Sequence, residues 1–189
     1  MSINLGLCIT GSFCTFEKIL ILAKNLVMQD YKVTPILSFN AAQMDTKFFK
    51  AKDFADKIQL ICGVAPFTTI QEAEPVGTKK LFDICLVAPA TGNSLAKINN
   101  GITDTPVTMC VKAHLRNNRP VVLFVSTNDG LSASARNIGG LINKKHMFFV
   151  PFSQDNPTQK PNSLVSKFEL VIPTLEEAIV EKQIQPVLR

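Results

Sequence analysis

The chain has 189 residues, a formal charge of +5, and 46% hydrophobic against 19% charged residues. That length accommodates one domain with a sizeable core, and the apolar share excludes a disordered chain. No apolar run approaches the ~18 residues of a membrane span, and the lysines form no long basic run with interleaved aromatics, which excludes an evident nucleic-acid surface.

From the N-terminus, residues 3–10 (INLGLCIT) are apolar and β-branched and end at Gly11-Ser12, which predicts a strand and a turn. Phe16, Ile19, Leu20, Ala23, Leu26 and Val27 then follow helical spacing, predicting a helix over 13–28. A second strand is predicted over 33–37, ending at Ser38-Phe39-Asn40, then a helix over 48–58 and a short strand over 58–62. Residues 67–80 lack periodicity and read as the least structured internal stretch. Residues 84–88 predict a buried strand. Pro106 suits a first helical turn, so a helix is predicted to about Arg116. A strand over 120–125, a helix over 131–143 and a short strand over 147–150 follow. A polar, proline-bearing stretch over 153–162 and a final helix near 175–181 complete the chain. Alternating strands and helices predict a three-layer α/β sandwich with a parallel central sheet.

Five cysteines (Cys8, Cys14, Cys62, Cys85 and Cys110) are odd in number and form no CxxC pair. Three sit in apolar runs, so free thiols and a reducing, cytoplasmic setting are predicted. No leader with a small-residue cleavage site is visible. His114 and His146 are far apart, and no metal site is predicted.

The chemistry collects after the strands. Gly11-Ser12, Ser38 with Asn40, Thr91 to Asn93, and Ser126 to Asn128 each follow a strand, and in a doubly wound sheet such ends converge on one edge where ligands bind. Small side chains let a ligand approach the backbone, and the amide of Asn93 both donates and accepts. Each cluster is equally readable, alone, as turn or capping chemistry.

The stretch PATGNSLAKINNGITDT (89–105), with Gly11-Ser12-Phe13, resembles the flavoprotein superfamily that includes flavin-containing cysteine decarboxylases and flavin prenyltransferases, whose motif is Pro-Ala-Ser-Ala-Asn-Thr. Within it, TDTPVTMCVKAHLRNNRPVVL, STNDGLSASARNIGGL, FVPFSQDNPTQKPNSL and QIQPVL resemble the B-subunit family of dipicolinate synthase from spore-forming bacteria, over nearly the whole chain. The resemblance implies a single flavoprotein-type domain over 1–189 with a Rossmann-like, flavodoxin-type fold. It implies FMN bound in a trimer-based homo-oligomer. Gly11, Ser12 and Phe13 would lie at the flavin phosphate and ribityl chain, and Ser38 and Asn40 at the phosphate end. Ala90, Thr91 and Asn93 would line the isoalloxazine side, and Ser126, Thr127 and Asn128 would close the pocket. It further implies a partner, the A subunit of that enzyme, with a nicotinamide (NADP) site. This chain has no GxGxxG after a strand to supply one.

The departures from the superfamily bear on the reaction. The decarboxylases' catalytic histidine would fall near Pro75, and proline transfers no proton. Their Met-rich substrate motif is replaced by Ser126 to Asp129. The prenyltransferases carry an Arg-Glu pair there and an arginine where Met109 stands, charges that serve a prenyl phosphate. What remains is oxidation of a dihydro- or hydroxytetrahydro-dicarboxylate to dipicolinate in sporulation, with no catalytic residue assigned. Two roles stay open: a redox subunit whose FMN takes a hydride, or a scaffold that completes the site of the A subunit.

Among other residues, Asp104 and Asp129 read as caps or turn residues. Arg116, Arg119 and Arg136 are candidates for bidentate dicarboxylate contact, although surface arginine is the default. Glu176-Glu177 suit the first turn of a helix, and Phe148, Phe149 and Phe152 suit a core or an oligomer contact.

Overall fold

The parallel strands are buried on both faces, and this decides their composition. The computed structural model describes residues 2–189. Strands β1 (Asn4–Ile9), β2 (Lys32–Leu37), β3 (Ile84–Ala90), β4 (Val121–Thr127) and β5 (Met147–Phe149) pair in parallel in the order β2-β1-β3-β4-β5. Side chains alternate across the sheet. Ile84, Leu86 and Ala88 of β3 enter one core with Leu7, Phe16, Phe54 and Leu175, whereas Cys85 and Val87 enter the other with Cys8, Cys110 and Val111. The strands therefore read as continuous apolar runs, as fully covered parallel strands do.

Helices α1 (Phe16–Met28), α2 (Phe39–Gln43) and α3 (Ala51–Cys62) precede two short turns of helix, α4 (Ile70–Ala73) and α5 (Pro75–Thr78). Next come α6 (Gly92–Asn100), α7 (Pro106–Leu115), α8 (Ala135–Ile142) and α9 (Val171–Ile179). In this 2-1-3-4-5 order the winding direction reverses between β1 and β3, the place where an open α/β sheet leaves a crevice.

Several expectations need correction. Residues 58–62 form no strand. They complete α3, whose buried Ala51, Phe54 and Ile58 recur at helical spacing and which stops at Gly63 in the left-handed region, φ +71°. Residues 67–80 are ordered after all: Thr69 and Glu72 form a capping box that starts α4, and Pro75 opens α5. The helix expected from Leu131 starts at Ala135, behind a turn over 129–134. Glu176 and Glu177 are not in a first turn, because α9 begins at Val171. The stretch 153–162 is largely an antiparallel hairpin, β6 (Phe152–Asn156) with β7 (Lys160–Ser166). Strand β4 outruns β5, and its free end at Ser126 and Thr127 takes β7 as an antiparallel neighbour. Phe148, Phe149 and Phe152 are buried in the cores, as expected. No described helix is long and apolar enough to cross a membrane.

Candidate functional site

The ends of β1 and β3 are tied together at the winding reversal. The hydroxyl of Thr10, 1% exposed, donates to the Pro89 carbonyl at 2.7 Å and accepts the Thr91 N–H at 3.2 Å. Thr91 in turn caps α6, accepting the Ser94 N–H at 3.4 Å with its hydroxyl 3.0 Å from that of Ser94. From β4, the Ser126 hydroxyl lies 3.0 Å from that of Ser12. The loops after β1, β3 and β4 thus meet through short polar side chains, and the order of the strands makes them neighbours.

Two hollows flank this seam. The smaller, about 340 Å³, is lined by Thr10, Ser38, Ser94 and Thr105 together with Asn40, Lys97 and Asp104. Ser38 caps α2, accepting the Ala41 N–H at 3.3 Å. Lys97 is held by both carboxylate oxygens of Asp104 at 2.9 and 2.7 Å. The larger hollow is a cleft of about 1250 Å³ between the segment 11–25 on one side and the residues 160–169 on the other, wide for a small-molecule site. Gly11, Thr91 and Asn93 line both. A Cβ on Gly11 would stand 3.3 Å from Asn40 of the smaller hollow and 3.4 Å from Phe13 of the cleft, a tight fit on both sides.

At the floor of the cleft, the Asp129 carboxylate accepts the hydroxyls of Thr127 and Ser134, the latter at 2.9 Å. Asp129 is therefore a turn residue, as predicted, yet it faces the cleft. Gly92 is needed there, because a Cβ would come within 2.5 Å of the Ser134 hydroxyl and 2.7 Å of Asp129. On the outer wall Lys160 pairs with Asp155 at 2.8 Å, a hydrogen bond that holds the ammonium above its ordinary range.

Of the residues singled out from sequence, Gly11, Ser12, Phe13, Thr91, Asn93, Ser126, Thr127 and Asn128 line the cleft, and Ser38 and Asn40 line the smaller hollow. Ala90 is different. It is fully buried in the core with Leu95 and Val107 and lines neither hollow. The arginines are elsewhere too: Arg119 donates to the Phe82 carbonyl and pairs with Asp83 at 3.5 Å, and neither Arg116 nor Arg136 lines a hollow. Sequence reading missed Thr10, hidden as the last residue of an apolar run, and Lys97, hidden inside a helix. It also missed the cleft lysines Lys18, Lys47, Lys160 and Lys167, whose elements meet only in the tertiary structure.

A small polar hollow and a larger cleft thus adjoin at Gly11, Thr91 and Asn93, beside the winding reversal of the sheet. The profile of the Flavoprotein family matches residues 1–167. The B subunit of dipicolinate synthase from Bacillus subtilis (strain 168) is 42% identical over 185 residues, spanning 98% of this chain and 92% of that protein. The crystal structure of the dipicolinate synthase B subunit from Bacillus halodurans C superposes with a TM-score of 0.91 at 42% identity, covering 99% of this chain and 96% of the other. The FMN-dependent cysteine decarboxylase SpaF superposes with a TM-score of 0.65 at 20% identity over 94% of this chain and 95% of its own, a likeness of fold alone. A profile spanning most of the chain and a relative matched nearly end to end establish the kinship: the chain belongs to the Flavoprotein family, as a homologue of the dipicolinate synthase B subunit.

Proposed function

We propose that the chain, as one flavoprotein-type domain, is the FMN-binding B subunit of a dipicolinate-forming enzyme. It would work with an A subunit that carries the NADP site, in a homo-oligomer based on a trimer, in the cytoplasm of sporulating cells. The observation that carries this reading is the pair of unequal hollows meeting at Gly11, Thr91 and Asn93, directly at the winding reversal of the sheet. Bound FMN would supply a two-electron acceptor for oxidation of a partly reduced ring dicarboxylate. Ser38, Asn40 and the Gly11 turn would hold the phosphate through neutral donors, beside the Lys97–Asp104 ion pair, which adds no net charge. Thr91 and Asn93 would position the ring edge, and Ser126, Thr127 and Asn128 would close over it.

One observation favours a second reading, a scaffold that completes the site of the A subunit. Among the described residues no histidine lines either hollow, and one oxygen of the Asp129 carboxylate accepts two hydroxyls. The site thus lacks an imidazole, the side chain best matched to proton transfer near neutral pH. Titrating the purified chain with FMN, alone and with the A subunit, and following visible absorption and flavin fluorescence decides between them. Saturation near one flavin per chain supports the flavoprotein reading. No binding in either sample leaves the scaffold.

A further inference from the structure

The flavin proposed above takes the smaller hollow and the side of the cleft lined by Thr91, Asn93 and Ser126 to Asn128, which leaves the side lined by Lys18, Lys47 and Lys167 without an assigned ligand. The charges of the cleft are not balanced. Lys160 is paired with Asp155, whereas Asp129 accepts the neutral hydroxyls of Thr127 and Ser134 through one carboxylate oxygen and keeps its negative charge. That leaves Lys18, Lys47 and Lys167 facing the cleft against two carboxylates, Asp129 and Glu169, a surplus of one positive charge. None of these three lysines has a carboxylate oxygen within 4.0 Å among the described residues.

Two of the three rest instead on aromatic faces. The Lys18 ammonium stands 5.5 Å over the Phe168 ring and that of Lys47 stands 5.2 Å over the Phe48 ring, and both rings line the cleft. At exposed sites such contacts hold a cation only weakly, at about 0.5–1 kcal/mol, so each ammonium is oriented yet free to exchange the ring for an anion. The lysines come from α1, from the loop before α3 and from the residue after β7, so they approach the cleft from separate directions. Separated cations suit a ligand with more than one anionic group, and flat rings beside them suit a flat ligand.

We propose that Lys18, Lys47 and Lys167 form the carboxylate-recognising rim of the cleft, and that its ligand is a flat ring bearing two carboxylates. This assignment rests on the flavoprotein reading for its role, since it would set the substrate beside the bound cofactor. The lysines take over the recognition for which the sequence had offered Arg116, Arg119 and Arg136.

The test is a calorimetric titration of the full chain, with and without saturating FMN, in divalent-free buffer. The probes are pyridine-2,6-dicarboxylate, pyridine-2-carboxylate and inorganic phosphate. The dicarboxylate is expected to bind saturably, at least about tenfold tighter than either other probe, and more weakly as salt rises. Lys18→Gln, Lys47→Gln and Lys167→Gln should each weaken it by about three- to tenfold. Lys24→Gln, on the same helix as Lys18 but outside the cleft, should leave it unchanged, and Lys18→Arg should recover most of the loss. FMN affinity should be the same in all of these variants. The proposal is overturned if the dicarboxylate does not bind, if the monocarboxylate or phosphate binds as well, or if the glutamine variants bind like the parent. If FMN fails to bind while the lysine-dependent dicarboxylate affinity persists, the flavin reading falls and this one stands. If FMN binds and the dicarboxylate does not, the reverse holds.

Discussion

The Thr10 hydroxyl donates to the Pro89 carbonyl at 2.7 Å and accepts the Thr91 N–H at 3.2 Å, joining the first and third strands at the point where the sheet changes winding direction. Everything placed in the site hangs from that joint, because Gly11 and Thr91 are the next residues along each strand. Replacing Thr10 with valine keeps the volume and strands a buried carbonyl and an N–H. The Thr10→Val variant should lose about 1–3 kcal/mol of stability in urea unfolding, and its FMN affinity should fall together with it.

Asn93 lines both hollows and its side chain is exposed. An Asn93→Asp substitution puts a carboxylate where the nucleotide is proposed to pass, without touching the core. The far-UV circular dichroism should be unchanged and FMN should bind at least about tenfold more weakly. Gly11→Val should weaken FMN binding similarly by adding bulk where the two hollows adjoin, since a Cβ there already stands 3.3 Å from Asn40 and 3.4 Å from Phe13. FMN binding unchanged in both variants would remove the flavin from this site.

Two adjacent helical glycines should respond in opposite ways. A Cβ on Gly139 meets nothing within 4 Å, whereas one on Gly140 would come 2.6 Å from the Asn99 side-chain oxygen. Gly139→Ala should stabilise the protein by about 0.5–1 kcal/mol through lower backbone entropy in the unfolded chain. Gly140→Ala should give no such gain and should disturb the hydrogen bond from Asn99 to Asn137. Paired thermal melts of the two variants read the difference directly.

His114 is buried, and loss of water pushes its imidazole down to about 4 from an ordinary 6.5, although its Nε2 lies 3.1 Å from the Pro120 carbonyl. The unfolded chain therefore takes up a proton that the folded chain refuses. Stability from this group is complete above about pH 6.5 and is lost progressively as the pH falls towards 4, by on the order of 3 kcal/mol. Urea midpoints measured from pH 7.5 to 5 should fall with pH in the parent. In His114→Gln this part of the slope should flatten.

Much of the architecture is legible locally. A parallel strand covered on both faces must be apolar throughout, so Ile84 to Ala88 and Val121 to Val125 declare themselves without reference to any partner. A strand that ends at a ligand edge must end in small polar residues, and the clusters at Gly11-Ser12, Ser38, Thr91 and Ser126 do so. Short-range patterns are less decisive where helix and strand share a composition: Ile58 to Cys62 is as apolar as a strand but continues the spacing of α3.

What local pattern does not carry is pairing between distant segments. The hairpin of β6 and β7 is polar because it lies at an edge, and it exists because β4 extends past β5 and leaves Ser126 and Thr127 without neighbours. Its formation adds Ser163 to Lys167 to the lining of the cleft that Lys18 also lines, residues with no relationship in sequence. Ala90 shows the same limit in reverse, since the register of β3 turns its side chain into the core while its neighbour Thr91 reaches the site. Composition and periodicity mark the buried parallel strands and the longer helices because those depend on burial and backbone geometry within a few residues. The charge of the cleft and the place where it adjoins the smaller hollow were decided by the tertiary structure, because both arise from side chains that only the folded sheet brings within reach of one another.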